Sequence, residues 1–158
     1  MRQLRRLRRL AGARRGSVTL EFVLASPELL LLLGFTIDYA LLLRARVTLA
    51  GGVMSGAQYA SVQGTSVTAG SLQSVVQQAT GMSGITATVT GPACYCPSSY
   101  PVTLPATTST CGSTCPADGS TARNYVRVVA SYTYLPMMPG MSSIVATTLT
   151  ESATAMLP

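Results

Sequence analysis

The sequence predicts an α+β protein in which a long N-terminal transmembrane helix extends beyond the membrane and leads into a small head. Three observations support this prediction: an apolar run of membrane length near the N-terminus, three later segments typical of strands, and four cysteines in one polar loop. We expect a basic leader at 1–16, a helix at 17–62, and a head at 63–158 with a short helix and a three-stranded antiparallel sheet.

The predicted transmembrane segment runs from Val18 to Leu43. Its length corresponds to about 39 Å of helix, whereas a hydrocarbon core of about 30 Å needs only about 20 residues. The leucine run at 29–33 has no polar face, which is typical of a helix surrounded by lipid or by other helices. We therefore expect this segment to cross a membrane.

The arginines predict the orientation of this helix. Seven arginines precede Gly16, and only Arg44 and Arg46 lie just after the apolar run. The positive-inside rule then places the N-terminus in the cytoplasm and exports the head across the inner membrane.

Beyond Gly16, four arginines and five acidic residues nearly balance, so the net charge of +6 belongs to the leader. We expect no nucleic-acid partner, because the basic charge is confined to that leader. A cleaved secretory signal is an alternative, although its apolar part would be unusually long.

Glu21 lies inside the apolar segment, where an ionised side chain costs at least about 2.5–3.5 kcal/mol unless a partner compensates it. Cleavage between Gly16 and Ser17 would create an α-amino group at a similar depth. In an assembly of parallel helices, a neighbour's amine could pair with Glu21 and set the axial stagger. The alternative is a helix-start acid that complements the helix dipole, worth about 0.3–1 kcal/mol.

These residues resemble a known pattern. Gly16, the stretch Ser17 to Phe22, a leucine-rich helix with Pro27, and an acidic-aromatic pair at Asp38 and Tyr39 resemble the class III signal of type IV prepilin-like proteins. More specifically, they resemble the TadE-like family of minor pilins, or pseudopilins, of tight-adherence (Flp) pilus systems. The resemblance covers Arg14 to about Ala60.

The resemblance implies removal of the leader by a prepilin peptidase and association with other pilin subunits and the assembly platform. It also implies that Glu21, followed by Phe22, is required for cleavage or assembly. Pro27 is expected to kink the helix, either to let subunits pack or as a bend without consequence. Glu28 departs from the family pattern, and this second acid favours a protein partner on that side of the helix.

The helix is expected to continue past the membrane to about Ala60. Gly52, Gly56 and Ala60 form a small-residue ladder that allows another helix to approach closely. The alternative is that Gly51 and Gly52 weaken the helix at the membrane surface, since each glycine costs about 1 kcal/mol relative to alanine.

The head is predicted from its periodicity. Ser71 is expected to cap a short helix with Leu72, Val75, Val76 and Ala79 on one face, ending at Gly81 or Gly84. Alternation predicts strands at 85–90 and 124–135, and a third strand at about 144–157.

The cysteines lie in a polar loop at 91–123 that joins the first two strands. Outside the cytoplasm, an even number of cysteines favours disulfides. Bridges between the Cys94, Cys96 pair and the Cys111, Cys115 pair are expected, because a bridge across one residue would be strained. A zinc site with four thiolates is the alternative, although the spacing is unusual for one.

The composition argues against an enzyme. The chain has no histidine and no lysine, and its head contains only Asp118 and Glu151 as acids. We find no nucleophile with a base, no carboxylate pair and no phosphate loop, and we expect no cofactor or metal.

The function predicted is a minor structural or assembly subunit of a pilus. Two alternatives are an adhesin-like module that binds through Tyr95, Tyr100 and Tyr125, and an unprocessed signal-anchor protein of the envelope.

Overall fold

The computed structural model describes residues 15–96, 104 and 107–158. It confirms the predicted order of a long helix, a short helix and a three-stranded antiparallel sheet. The elements are α1 (Arg15–Gln63), a 3-10 turn (Gly64–Ser66), α2 (Ala69–Thr80), β1 (Thr86–Tyr95), β2 (Arg123–Thr133), a second 3-10 turn (Met141–Ser143) and β3 (Thr148–Met156).

The long helix α1 runs unbroken through Pro27, Gly51 and Gly52. Its first half is exposed, and its second half packs on the head through residues spaced three or four apart. These buried residues are Asp38, Leu42, Ala45, Leu49, Val53, Ala57 and Ala60. One helix therefore serves both as the N-terminal stem and as a layer of the head.

The sheet has the strand order β1-β2-β3, and both pairs are antiparallel. The central strand β2 turns Val126, Val128 and Ala130 toward the core, where all three are fully buried. Their alternation was visible in the sequence. Together with Leu49 and Val53 of α1, and with α2, they form one hydrophobic core.

Two strand boundaries differ from the prediction by four residues or more, and the others by one or two. The first strand was predicted to end at Thr90, but its pairing with β2 resumes after a bulge between Thr90 and Ala93 and continues to Tyr95. The third strand begins at Thr148 rather than near 144, because a 3-10 turn occupies Met141–Ser143. The bulge adds residues that break simple alternation, so the pattern alone could not follow β1 past it.

The short helix α2 is capped by Thr68, and the expectation that Ser71 caps it is wrong. The two side chains form a capping box, in which Thr68 Oγ1 accepts from the Ser71 N–H and Ser71 Oγ accepts from the Thr68 N–H. Ser71 is thus the third helical residue, and the helix ends at Gly81 as expected. Leu72 and Val76 are fully buried against α1 and the sheet.

The glycine ladder of α1 lies against α2 of the same chain. A Cβ at Gly56 would lie 3.0 Å from Val76 Cγ2, and a Cβ at Gly52 would overlap the Thr80 methyl group. Small residues therefore permit a close helix–helix approach here. The interpretation of these residues as a small-residue ladder is favoured over the alternative that Gly51 and Gly52 weaken the helix, since α1 is continuous through this region.

The cysteines form two disulfides between the clusters, as predicted. Cys94 bonds Cys111 and Cys96 bonds Cys115, with Cα–Cα distances of 5.2 and 5.5 Å. The zinc alternative is thereby wrong. Both bridges tie the long loop to the end of β1.

Candidate assembly site

The first half of α1 presents an apolar surface without cover from the rest of the chain. Every large apolar side chain from Val18 to Leu33 is at least 52% exposed. Within the described residues, this helix alone is long and apolar enough to cross a membrane. A surface of this size is stable only against lipid or against another protein.

Glu21 and Glu28 both project from this surface and are exposed. They are seven residues apart, which places them on the same side of the helix about two turns from each other. Neither carboxylate forms an ion pair with a side chain in the described part of the chain. Phe22 is exposed beside Glu21. This side of the helix therefore offers two acceptors to a partner.

Pro27 lies inside α1 without interrupting it. It has no N–H with which to bond the Val23 carbonyl, four residues earlier. Ser26 Oγ donates to that carbonyl instead, at 3.2 Å. The hydrogen bond lost at Pro27 is thus replaced within the chain, and no neighbouring helix is needed to supply a donor.

Gly16 and Ser17, the predicted cleavage pair, lie in the first turn of α1. Their side chains fall outside the part of the structure that is described, as does the arginine block at 1–14. The predicted processing site therefore stays a prediction.

Asp38 joins the stem to the head. It is 1% exposed, and its Oδ1 accepts a hydrogen bond from the Tyr134 hydroxyl. Its Oδ2 accepts from the Met138 N–H at 3.0 Å. A buried carboxylate with two donors holds its partners in one geometry. The sequence indicated Asp38 only through the family resemblance, and Tyr134 and Met138 carry no local signal for this contact.

The environment of Tyr134 changes its acidity. Burial is the main cause, and the hydrogen bond to the Asp38 carboxylate adds to it, so that the pKa of Tyr134 rises to about 12. The hydroxyl therefore stays protonated and donates to Asp38 at any physiological pH.

Two open grooves flank α1 just beyond Asp38. The first, of about 460 Å³, lies between α1 and β3 and includes Tyr39 and Arg46. Here Arg46 Nε donates to Glu151 Oε1 at 2.8 Å, and this bond raises the pKa of Arg46. The second, of about 450 Å³, lies on the other side of α1; its lining includes Leu41, Arg44, Tyr132, Leu135 and Met137.

The aromatic surface expected for an adhesin-like module is not formed as predicted. Tyr95 is buried and Tyr125 is half-buried. Tyr100 lies outside the described residues. Tyr95 belongs to the end of β1 and not to the polar loop in which the sequence analysis places it.

The fold and the exposed stem define a protein with a candidate membrane helix near its N-terminus and a small disulfide-bonded α+β head. The model of the family described as TadE-like protein matches residues 16–58, which is nearly the whole of α1. This match confirms the resemblance to the TadE-like family over those residues, and that family is associated with the tight-adherence pilus. The family is a structural one that is not known for enzymatic activity. No curated protein and no solved structure matches the chain.

Proposed function

We propose that this chain is a minor pilin or pseudopilin subunit that helps to build a tight-adherence pilus or its assembly platform through helix–helix association. One observation carries this proposal: the TadE-like match at 16–58 coincides with the helix whose first half is apolar and uncovered. The segment Val18 to Leu43 anchors the chain in the inner membrane. The N-terminus is cytoplasmic, and the head is exported or reaches the pilus or cell surface.

Cleavage by a prepilin peptidase between Gly16 and Ser17 gives the mature chain a cationic N-terminus within the apolar environment. The Glu21 carboxylate of a neighbouring subunit compensates this charge, since an ion pair in lipid avoids the cost of two isolated charges. Glu28 offers a second acceptor on the same side, two turns further along. The stagger between subunits follows from this pairing.

The first experiment determines the N-terminal residue and the mass of the chain in cells with and without a prepilin peptidase. We expect a chain that begins at Ser17 only when the peptidase is present. A Gly16→Leu variant should stay uncleaved, whereas Gly51→Leu, in the exposed middle of the same helix, should be processed normally. A chain that begins at Met1 in both strains would contradict the proposal.

The second experiment tests whether assembly depends on the charge of Glu21, in chains whose N-terminal residue is determined as above. Glu21→Gln keeps the size of the side chain and removes its charge, so we expect loss of cross-linking to other pilin subunits in the membrane. Glu151→Gln is the control, because it breaks an ion pair on the head without touching the stem. Equal cross-linking of both variants would contradict the role of Glu21.

A further inference from the structure

The segment between β2 and β3 forms an apolar surface at the base of the head. Residues 134–147 contain no charged side chain. Three large apolar residues of this segment are mostly exposed: Leu135 at 81%, Met137 at 77% and Ile144 at 71%. We call residues 135–146 the base loop. Single exposed apolar residues are common, but three of them in one uncharged loop indicate a contact surface.

The contacts of the base loop fix its level along α1. Met138 N–H bonds the Asp38 carboxylate, and the hydroxyl of Tyr134, which precedes the loop, bonds the same side chain. Met138 also packs against Gly34, where a Cβ would lie 2.8 Å from its sulfur. Met138, in the middle of the base loop, therefore lies beside residues 34–38 of the stem, and Leu135 and Met137 line a groove next to Leu41 and Arg44.

A membrane span that begins at Val18 ends at the same level of α1, near residues 34–38. A hydrocarbon core of about 30 Å takes about 20 helical residues, and counting from Val18 these end at Ile37. Leu42 is covered by the head, so it has no surface to offer to lipid. A hydrocarbon core that begins at Val18 thus ends near Ile37, and from Asp38 onward one side of α1 is covered by the head.

Arg44 is a positively charged residue just beyond this level of α1. Its side chain is exposed and lines a groove whose other walls include Leu41, Leu135 and Met137. It lies about 9 Å beyond Asp38 along the helix. Because the Cα–Cβ bonds of a helix tilt toward its N-terminus and an arginine side chain is long, Arg44 can reach the membrane surface with its guanidinium. An arginine above an apolar wall matches the phosphate and the acyl chain of a phospholipid.

We propose that the base loop inserts into the interface of the exported leaflet, with Leu135, Met137 and Ile144 among the upper acyl chains and Arg44 at the lipid phosphates. This inference rests on the proposed membrane anchoring of α1. Lipid is the occupant because the loop continues the apolar surface of the stem at the depth where the span ends. The head then contacts the membrane at two places and has a fixed tilt.

The absence of tryptophan from the sequence makes a depth measurement direct. Single-tryptophan variants of the full chain are reconstituted in phospholipid vesicles whose acyl chains carry bromine, either near the headgroup or near the bilayer centre. Met137→Trp and Ile144→Trp report the base loop. Leu30→Trp reports the middle of the span. Val62→Trp is the matched control, since Val62 is as exposed as Met137 but lies about 38 Å beyond Ile37.

We expect the two base-loop variants to lose most of their fluorescence with bromine near the headgroup, and much less with bromine at the centre. Val62→Trp should keep its fluorescence with both lipids, and Leu30→Trp should be quenched from the centre. If Leu30→Trp is quenched but the base-loop variants behave like Val62→Trp, the inference is wrong and the membrane anchor stands. If Leu30→Trp also keeps its fluorescence, both the inference and the anchoring are wrong.

Discussion

The close contact between α1 and α2 at Gly52 yields the most discriminating stability prediction. Gly52→Ala adds a Cβ that overlaps the Thr80 methyl group and lies 3.3 Å from the Val76 carbonyl oxygen. Thr80 cannot simply rotate away, because its hydroxyl donates to that carbonyl at 2.9 Å. The two helices must therefore separate, or Thr80 must give up its hydrogen bond.

The expected magnitude follows from a control at the preceding residue. Gly51 is exposed, with no atom within 4 Å of its Cβ position, so Gly51→Ala should gain about 1 kcal/mol from helix propensity. Gly52→Ala has the same gain but adds an overpacking cost of about 1–3 kcal/mol. We expect the free energies of unfolding of the two variants to differ by that cost. For a head of this size the melting temperatures should differ by at least about 4 °C.

The measurement is thermal unfolding of the full chain in detergent, followed by the near-ultraviolet circular dichroism of its tyrosines. Thr80→Ser removes the methyl group and keeps the hydroxyl, so Gly52→Ala combined with Thr80→Ser should recover most of the lost stability. The packing argument would be refuted if Gly52→Ala and Gly51→Ala had the same melting temperature. It would also be refuted if Thr80→Ser did not raise the melting temperature of Gly52→Ala.

Three further outcomes are expected. Spectrophotometric titration of the seven tyrosines should show one that ionises near pH 12, and this titration should be absent from Tyr134→Phe. The contribution of the protonated Tyr134 to the free energy of unfolding should be complete below pH 10 and should disappear as the pH rises through about 12. The Cys94→Ala, Cys111→Ala double variant should lose about 3 kcal/mol in denaturant unfolding, because its bridge closes a loop of 17 residues; an unchanged midpoint would contradict this. Ser26→Ala should slow membrane insertion of the chain that contains Pro27, because the Val23 carbonyl then has no donor. In a Pro27→Ala background the same substitution should have no effect, because the N–H of residue 27 bonds the Val23 carbonyl.

The local patterns of the sequence predicted most of the fold. The alternation in β2 and the leucine-rich stem specify their elements directly, because each pattern has the period of its structure. Ser71 was taken for the cap of α2, since serine is a good cap, although Thr68 stands three residues earlier with the same chemistry. Ser71 acts in the cap only as the third helical residue, and the N-cap role of Thr68 was not predicted.

The candidate site was less predictable, since it depends on contacts between distant residues. Asp38 and Tyr134 are 96 residues apart, and no local pattern connects them. The partner of the glycine ladder raised the same difficulty. A small-residue spacing shows that something approaches closely, but it does not show whether the approaching helix belongs to the same chain.

The contacts along α1 divide it between two tasks, and this division restricts how subunits can associate. Gly52 and Gly56 are buried under α2, so the small-residue face is occupied within the chain and cannot receive a helix from a neighbour. The continuous uncovered apolar surface from Val18 to Leu33 lies before Asp38, and Glu21 and Glu28 share one side of it. Because α1 is continuous and Asp38 is bonded to the head, a rotation or shift imposed on the stem by a neighbour is transmitted to the head. In the proposed assembly, the position of each head is therefore set by contacts of the predicted membrane segment.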